Sequence, residues 1–234
     1  MDRRARKKAR TREEIRTAAQ AMFAARGFEA VTIADIAAAA DVAVQTVFNH
    51  FATKEDLFFD GRTPWVEGAA AAVRARPASV PPLRALRDYH VAAVVALGDP
   101  QAGEERRSYV ATVEASPTLR ARELDVVSEA EQRLREALVE VWTADDAHPR
   151  PEHPETVAAL VAATWLAAAR VLVVSRRPAI LAADAGPADV SLETLAGEVL
   201  DRLEQALGPL QDLGTLQGLP ASVTGWPVGA ARAG

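Results

Sequence analysis

The chain has 234 residues, of which 49% are hydrophobic and 25% are charged, so it can bury a sizeable core and global disorder is excluded. It contains no cysteine, which excludes a disulfide framework, a thiolate zinc site and a cysteine nucleophile. The formal net charge is -5, yet seven of the first twelve residues are basic, so positive charge is concentrated at one end.

The N-terminal segment combines a basic arm, residues 3–12, with a helix. Thr11 and Glu14 have the spacing of a capping box, which predicts that the first helix begins at Thr11. Gly27 is the type of residue that commonly ends a helix. Acidic residues rather than an apolar stretch follow the arm, so we expect no secretory signal and a cytoplasmic location.

A second short helix is predicted by Thr32 and Asp35, which repeat the capping pattern. Asp41 follows that helix and suits a turn, because aspartate tolerates left-handed backbone geometry. A third helix is predicted over residues 44–50. The order helix, turn, helix is one by which proteins place a short helix in the major groove of DNA.

The third helix has one apolar and one polar face. Val47 and Phe51 lie four residues apart and are expected to point inward. Gln45 and Asn49 are also four apart and lie about 200° from Val47, because an α-helix turns by about 100° per residue. The outward face is therefore polar and uncharged, which suits hydrogen bonding to base edges. A merely solvated face is the alternative interpretation.

The chain beyond residue 53 carries helical patterns and no useful alternating strand pattern, which predicts an all-α fold. The predicted helices cover residues 54–60, 65–76, 83–97, 104–115, 118–142, 155–177 and 192–207. We expect three regions, namely a three-helix domain with its basic arm at 1–53, a larger helical domain at 54–208 and a flexible tail at 209–234.

The most apolar predicted helix covers residues 155–177. A membrane span would need about 20 predominantly apolar residues, and Arg170 interrupts this run. A helix buried on most of its faces is the favoured interpretation, and no membrane partner is expected. Because one small domain offers too few neighbours for such a helix, we expect residues 155–177 and 191–208 to pack between two copies of the chain.

Six aromatic or isolated polar side chains of the larger domain are candidates for lining a ligand cavity, with ordinary core or surface positions as the alternative for each. They are Trp65, Tyr89, His90, Glu114, Trp142 and Trp165. His148 and His153 lack a matching ligand pair at metal-site spacing, so neither a metal nor another cofactor is predicted.

The first sixty residues also contain an ordered set of motif residues. They are Met22, Phe23, Gly27, Phe28, Thr32, Asp35, Ile36, Ala37, Val42, Thr46, Val47, Phe48, His50, Phe51, Lys54, Glu55 and Leu57. This arrangement resembles the N-terminal domain of the TetR family of bacterial transcription regulators. The resemblance implies a helix-turn-helix DNA-binding domain, an effector-binding and dimerisation domain, and a homodimeric repressor that a small molecule releases from double-stranded operator DNA.

The resemblance also implies contacts to base edges through the third helix and to phosphates through helix N-termini and charge. The residues concerned are Thr32, Val44, Gln45, Thr46, Phe48, Asn49, His50 and Lys54, with Arg4, Arg6, Lys7 and Lys8 of the basic arm. The amides of Gln45 and Asn49 can pair with adenine, and Thr46 offers a hydroxyl and a methyl group for thymine.

Three positions depart from the family pattern. Asp41 replaces the usual Gly, and Ala43 stands where Ser often caps the third helix. Phe48 stands where the family usually has Tyr, so the phenolic hydroxyl that commonly touches a phosphate is missing. We expect these changes to weaken binding without abolishing the fold, since a missing cap costs roughly 1 kcal/mol.

Two alternatives belong to other classes of function. A membrane-surface or protein-interaction module would use the basic arm alone, and an inert solubilising arm would bind nothing. An enzyme with a helical head would need a nucleophile with its base, a metal cluster or a phosphate loop, and the sequence contains none of the usual motifs. No catalytic residue is therefore predicted.

Overall fold

The computed structural model describes residues 3–96, 103–144, 150–182 and 190–209. In these ranges the chain forms eleven α-helices and no strand, which confirms the all-α prediction. The helices are α1 (Arg3–Arg26), α2 (Ile33–Ala39), α3 (Val44–Phe48), α4 (Lys54–Phe59), α5 (Trp65–Ala75), α6 (Pro82–Ala96), α7 (Gly103–Ala115), α8 (Pro117–Ala144), α9 (Pro154–Val174), α10 (Arg177–Leu181) and α11 (Val190–Leu207). We call α1–α3 the head and α5–α11 the body. Apart from Pro209, the predicted flexible tail lies outside the described residues.

The start of α1 differs from the sequence prediction. The helix begins at Arg3, so Thr11 lies inside it, and the predicted capping box at Thr11 is wrong. The preceding basic residues have good helix propensity and contain no breaker, which lets the helix extend toward the N-terminus. Glu14 pairs instead with Arg10 one turn earlier, at 2.8 Å. The helix ends as predicted before Gly27, whose φ is 79°.

The head is held together by a small apolar core. Ile15 and Phe23 on the inner face of α1 are buried and pack in one cluster with Ile36 of α2 and Val47 of α3. Val47 is fully buried, which confirms the predicted inward orientation of that side of α3. Burying an aliphatic side chain of this size contributes about 1.5–3 kcal/mol, so this core fixes how α3 is presented to solvent.

The helix α4 lies between the head and the body and packs against both. Phe58 lies 6.1 Å from Phe23 and 5.7 Å from Phe28, measured between ring centroids. The same ring stacks on Tyr109 of α7, with centroids 5.5 Å apart. The hydrophobic core therefore continues across residue 53, and the domain boundary between 53 and 54 stays a prediction.

The body is a bundle in which α8 lies between α5 and α9, and α11 packs on α6. Trp165 of α9 and Leu134 and Leu138 of α8 are fully buried at its centre. The predicted helix over residues 155–177 ends earlier, at Val174, and Arg177–Leu181 forms a separate helix. Pro178 accounts for the break, because proline cannot donate the backbone hydrogen bond that would continue α9.

By length and composition alone, Pro154–Leu181 is long and apolar enough to cross a membrane, and a core helix passes the same test. Its side chains Val157, Val161 and Trp165 are fully buried within the bundle. This burial accounts for the apolar composition of one side of α9. The opposite side, by contrast, leaves Leu160 and Val171 exposed.

Candidate DNA-reading surface and internal cavity

The connection from α2 to α3 has the geometry that the sequence predicts. The Thr32 hydroxyl accepts a hydrogen bond from the Asp35 backbone N–H at 3.1 Å, and the Thr32 N–H donates to the Asp35 carboxylate at 2.9 Å. Both bonds satisfy donors at the start of α2. Asp41 then adopts a φ of 53°, in the left-handed region, and turns the chain toward α3.

The outer surface of α3 carries the predicted base-contacting residues. Gln45 and Asn49 are exposed and lie close enough for the Gln45 amide nitrogen to donate to the Asn49 side-chain oxygen at 3.3 Å. Val44 and Phe48 are 41% and 46% exposed, and Thr46 is half-buried beside them. Ala43 precedes the helix without a side-chain cap. All five predicted contact residues of α3 thus have solvent access, although their roles stay predictions.

A groove of about 310 Å³ separates the basic part of α1 from the end of α3. Its lining residues are Ala5, Lys8, Ala9, Arg12, Asn49 and His50. Lys8 is exposed in this groove, and Arg4, Arg6 and Lys7 are exposed on the neighbouring turns of α1. The predicted basic arm is therefore a rigid helical surface next to the polar tip of α3, rather than an extended segment.

Arg12 lines the same groove, but unlike its basic neighbours its guanidinium is engaged in contacts within the protein. Its guanidinium pairs with Asp60 at 2.6 Å and also donates to the backbone carbonyl of His50. The guanidinium carbon lies 4.0 Å from the centroid of the Phe51 ring. Arg12 thus joins α1 to the ends of α3 and α4.

His50 is half-buried and lines the groove. Its Nδ1 atom is buried and has no hydrogen-bond partner among the described residues. Burial lowers the pKa of His50 below its ordinary 6.5, and the positive charges of Lys8 and Arg12 lower it further. The predicted contact between His50 and DNA stays a prediction.

Lys54, predicted to touch a phosphate, is held within the protein. Its ammonium group donates to the backbone carbonyls of Phe28 and Val31 at 3.1 and 3.2 Å and lies 4.2 Å from the centroid of the Phe28 ring. An ammonium group has three donors, so one N–H remains for another acceptor. The phosphate contact of Lys54 stays a prediction, with one donor left to make it.

Sequence reasoning missed the cap of α4. The Thr53 hydroxyl accepts from the Asp56 backbone N–H at 3.0 Å, and the Thr53 N–H donates to the Asp56 carboxylate at 3.1 Å. The other oxygen of this carboxylate pairs with Arg122 of α8 at 2.9 Å. The Thr-x-x-Asp spacing was visible in the sequence, whereas the contact with α8 depends on the folded chain.

The body encloses a cavity of about 290 Å³. Of the six residues predicted to line a ligand site, Trp65, Tyr89 and His90 line this cavity. The other three, Glu114, Trp142 and Trp165, are absent from the described lining. Trp142 and Trp165 are buried in the helical core, and Glu114 pairs with Arg177 at 2.6 Å. Contact of any of the six with a ligand stays a prediction.

Several lining residues were not predicted. Tyr109, Glu123 and Arg177 line the cavity, and the Arg177 guanidinium also contacts the Glu123 carboxylate. Burial raises the pKa of the Tyr109 hydroxyl, and the negative charge of Glu123 raises it further. Arg62, from the α4–α5 connection, is a fourth unpredicted residue of the lining. These side chains come from distant parts of the sequence, and no local pattern brings them together.

His90 carries a fixed tautomer in this cavity. Its Nδ1 atom lies 2.9 Å from the backbone carbonyl oxygen of Leu86, and a carbonyl can only accept, so Nδ1 carries the hydrogen. Burial lowers the pKa of His90 to about 4, with the bond to Leu86 opposing the shift. The ring is therefore neutral at pH 7, and Nε2 is a hydrogen-bond acceptor.

A short polar helix presented by a capped helix-turn-helix, beside a basic helix, defines a DNA-binding transcription regulator. Residues 15–60 match the family described as "Bacterial regulatory proteins, tetR family". The HTH-type transcriptional regulator TcmR of Streptomyces glaucescens is 32% identical over 154 residues, which cover 63% of this chain and 68% of that protein. The chain belongs to the TetR family of bacterial transcription regulators.

Two solved structures are also similar to the chain. One is a TetR-family protein from Mesorhizobium loti, with a TM-score of 0.49 and 17% identity, covering 88% of this chain and 98% of that one. Another is GusR from Salmonella enterica, with a TM-score of 0.48 and 24% identity, covering 83% and 95%.

Proposed function

We propose that the protein is a homodimeric repressor that leaves its operator when a small molecule occupies the cavity of the body. The observation that carries the proposal is the exposed polar tip of α3, where Gln45 and Asn49 stand on a helix whose other side is locked into the head core. Bacterial cytoplasm, where the genomic DNA is located, is the expected location.

The proposed reading mode combines base contacts from α3 with phosphate contacts from α1. The amides of Gln45 and Asn49 are suited to adenine, and each good bidentate pair contributes roughly 1–3 kcal/mol of discrimination. Lys8 lies in the groove beside Asn49, so a phosphate seated there would fix the register of α3 on the duplex. The basic turns of α1 would then supply most of the salt dependence.

The proposed dimer interface uses the exposed side of α9 together with α11. Leu160, Thr164, Ala167 and Val171 recur at helical spacing along α9, and all four are exposed. Leu160 is 47% exposed and Val171 is 62% exposed. Leu195 of α11 adds a third large apolar side chain that is 51% exposed. Small residues in the middle of such a stripe allow close approach of a second helix, which supports pairing with another copy of the chain.

Dimerisation matters because a palindromic operator needs two reading helices. These must reach successive major grooves about 34 Å apart, so the spacing set by the body determines whether both heads can bind. A ligand that favours a different spacing in the body would weaken the complex. A coupling of about 1–3 kcal/mol would give roughly a 5- to 150-fold response.

The route proposed for this coupling runs from the cavity wall to α4. Glu123 of α8 lines the cavity, and its neighbour Arg122 holds Asp56 at the start of α4. Phe58 of α4 stacks on Tyr109, which also lines the cavity. A displacement of α8 or of Tyr109 by a ligand would therefore reach the helix that carries the head.

The proposal is tested by selecting binding sites from random-sequence duplex DNA at two salt concentrations. We expect a two-fold symmetric site with half-sites one helical turn apart. A Leu160→Glu variant is expected to be monomeric in sedimentation and to lose the symmetric site. The control is Leu124→Glu, which makes the same change at a leucine of α8 that is 52% exposed. Unselective binding by the wild type, or a symmetric site retained by a monomer, would contradict the proposal.

A further inference from the structure

The Arg62 guanidinium is a half-buried charge that forms no ion pair with a carboxylate of the described residues. It lies in the connection between α4 and α5, with its central carbon 4.8 Å from the centroid of the Phe58 ring. Within the described ranges, no ion pair or side-chain hydrogen bond of Arg62 is present. Burial lowers the pKa of Arg62, and the negative charge of Glu105 only partly offsets the shift. An anion bound next to the Arg62 guanidinium would therefore stabilise this partly desolvated charge.

The rest of the cavity wall disfavours a cation. Four of its described lining residues are arginines, namely Arg62, Arg106, Arg170 and Arg177, whereas Glu123 is the acidic one. Glu123 is already occupied, because Arg177 contacts it directly. A cationic ligand would therefore meet the positive charges of Arg62 and Arg170 and no unpaired carboxylate among the lining residues that the structure describes.

The remaining lining is apolar or neutral. Val94, Val110 and Leu166 contribute aliphatic surface, and Trp65 contributes an indole ring. A volume of about 290 Å³ lies near the lower end of the range of roughly 300–1,000 Å³ that ligand pockets occupy. His90 adds one hydrogen-bond acceptor through Nε2, because Nδ1 donates to the Leu86 carbonyl. The cavity wall is thus complementary to a compact ligand with a mostly apolar surface.

We propose that the effector is an amphipathic organic anion. Its carboxylate or comparable acidic group pairs with Arg62, while the apolar part of the ligand fills the cavity. A hydroxyl or N–H group on the ligand can donate to Nε2 of His90. This inference deepens the proposed function and rests on it, since it assigns a ligand class to the same cavity.

Arg62 is also well placed to transmit binding. It directly follows Gly61, whose φ of 73° turns the chain at the end of α4. Arg16 of α1 packs over Gly61 so closely that a Cβ atom there would collide with its guanidinium. An anion that draws Arg62 toward the cavity would therefore act on the segment that links α4 to α1. The proposed anion contact at Arg62 would thus be linked to the head through Gly61 and its contact with Arg16.

The experiment compares two fluorescent probes that differ in charge. Anilinonaphthalene sulfonate carries a permanent negative charge. Phenylnaphthylamine has the same aromatic ring system without the sulfonate. Each is titrated into the full-length protein, and binding is followed by fluorescence. We expect the anion to bind at least about tenfold more tightly than the neutral probe, which corresponds to one charge-assisted contact.

Variants of Arg62 identify the source of this preference. Arg62→Gln is expected to reduce it to less than about twofold while leaving the neutral probe bound as before, which also shows that the cavity is intact. Arg62→Lys retains the charge and should retain most of the preference. Arg135→Gln removes an exposed arginine of α8 outside the described cavity lining and should change neither affinity.

Two results would overturn the inference in different ways. Equal binding of both probes, unchanged in Arg62→Gln, would show that the cavity takes ligands without regard to charge, and the proposed repressor function would stand. Failure of both probes to bind, in a preparation that still binds its selected operator, would overturn the ligand class and the ligand-responsive part of the proposed function together. In that case the proposed binding of DNA by α3 would still stand.

Discussion

Arg122 of α8 and Asp56 of α4 form an ion pair across the junction of body and head, with 2.9 Å between Nε and Oδ1. Both side chains are about one quarter exposed, so solvent screens this pair only in part. Asp56 also closes the capping box at Thr53. The Asp56 carboxylate therefore takes part both in the N-terminal cap of α4 and in one contact of α4 with the body.

Replacing Arg122 by Gln is expected to loosen α4 without unfolding the protein. The pair contributes on the order of 0.2–1 kcal/mol, so amide hydrogen exchange over residues 53–60 should become about 1.4- to 5-fold faster. Exchange in the core of α8 should stay unchanged. The matched control is Arg133→Gln, which removes an arginine paired with Glu67 within the body. Equal exchange of α4 in wild type and Arg122→Gln would show that the pair does not hold the junction.

Restoring a tyrosine at position 48 is expected to tighten DNA binding. Phe48 is 46% exposed on α3, so the added hydroxyl fits without repacking the core. One new hydrogen bond to a phosphate contributes about 1 kcal/mol, or roughly fivefold in affinity. The measurement is the dissociation constant of Phe48→Tyr for the selected operator and for an unrelated duplex. Because phosphates carry no sequence information, both constants should fall by a similar factor. Tightening on the operator alone would mean that position 48 reads bases.

Neutralising Lys8 is expected to reduce the salt dependence of binding. If Lys8 contacts one phosphate, the slope of log K against log salt should become shallower by about 0.9 in Lys8→Gln. Sequence preference should stay the same. Arg135→Gln serves as the control, since it removes an exposed positive charge from α8 instead of α1. An unchanged slope in Lys8→Gln would remove the groove between α1 and α3 from the DNA interface.

His90 is expected to make the folded state sensitive to acid. Its pKa is about 4 in the folded protein, against an ordinary value of 6.5 for histidine, so the unfolded chain binds the proton first as the pH falls. The contribution of the buried neutral ring to the free energy of unfolding is fully present above pH 6.5. It is lost as the pH falls from 6.5 to 4, because the unfolded chain takes up the proton in this range. At about 1.4 kcal/mol per pH unit, the loss is about 3 kcal/mol.

The matched variant is His90→Asn, which keeps a donor near the Leu86 carbonyl and does not titrate. Denaturant unfolding of both proteins is measured at several pH values between 7 and 4. The other three histidines are present in both proteins, so the difference between the two curves isolates His90. Parallel curves across this window would show that His90 is not buried as a neutral ring.

The head was predictable because its determinants are local. The cap at Thr32, the turn at Asp41 and the inward side of α3 each depend on residues within a few positions of one another, and the structure agrees with all three. Thr11 shows the limit of that approach, since it begins a good capping motif. The stretch before it is also helical, and continuing a helix is easier than starting one.

The cavity was only partly predictable because its residues meet through long-range packing. Trp65 and Trp165 are equally plausible pocket residues by type, yet one lines the cavity and the other is fully buried. Arg177 was assigned to the end of a long helix, whereas Pro178 starts a new helix there and leaves Arg177 facing Glu114 and Glu123. Only the relative placement of α7, α8 and α10 reveals that cluster.

The central claim is that α3 reads DNA sequence through Gln45 and Asn49. The most direct measurement is the ratio of affinities for the selected operator and a scrambled duplex, determined at one physiological salt concentration for wild type and for Gln45→Ala and Asn49→Ala. Each variant should lose roughly 5- to 150-fold on the operator, because each good pair contributes about 1–3 kcal/mol. Binding to the scrambled duplex should stay unchanged.

Gln132→Ala is the matched control, since Gln132 is an exposed amide on α8 with a similar bond to a residue four positions on. It should bind both duplexes as the wild type does. Thermal unfolding should be unchanged in all three variants, because these side chains are exposed. An operator preference that is retained in both α3 variants would contradict the account. It would mean that another part of the head recognises the DNA sequence.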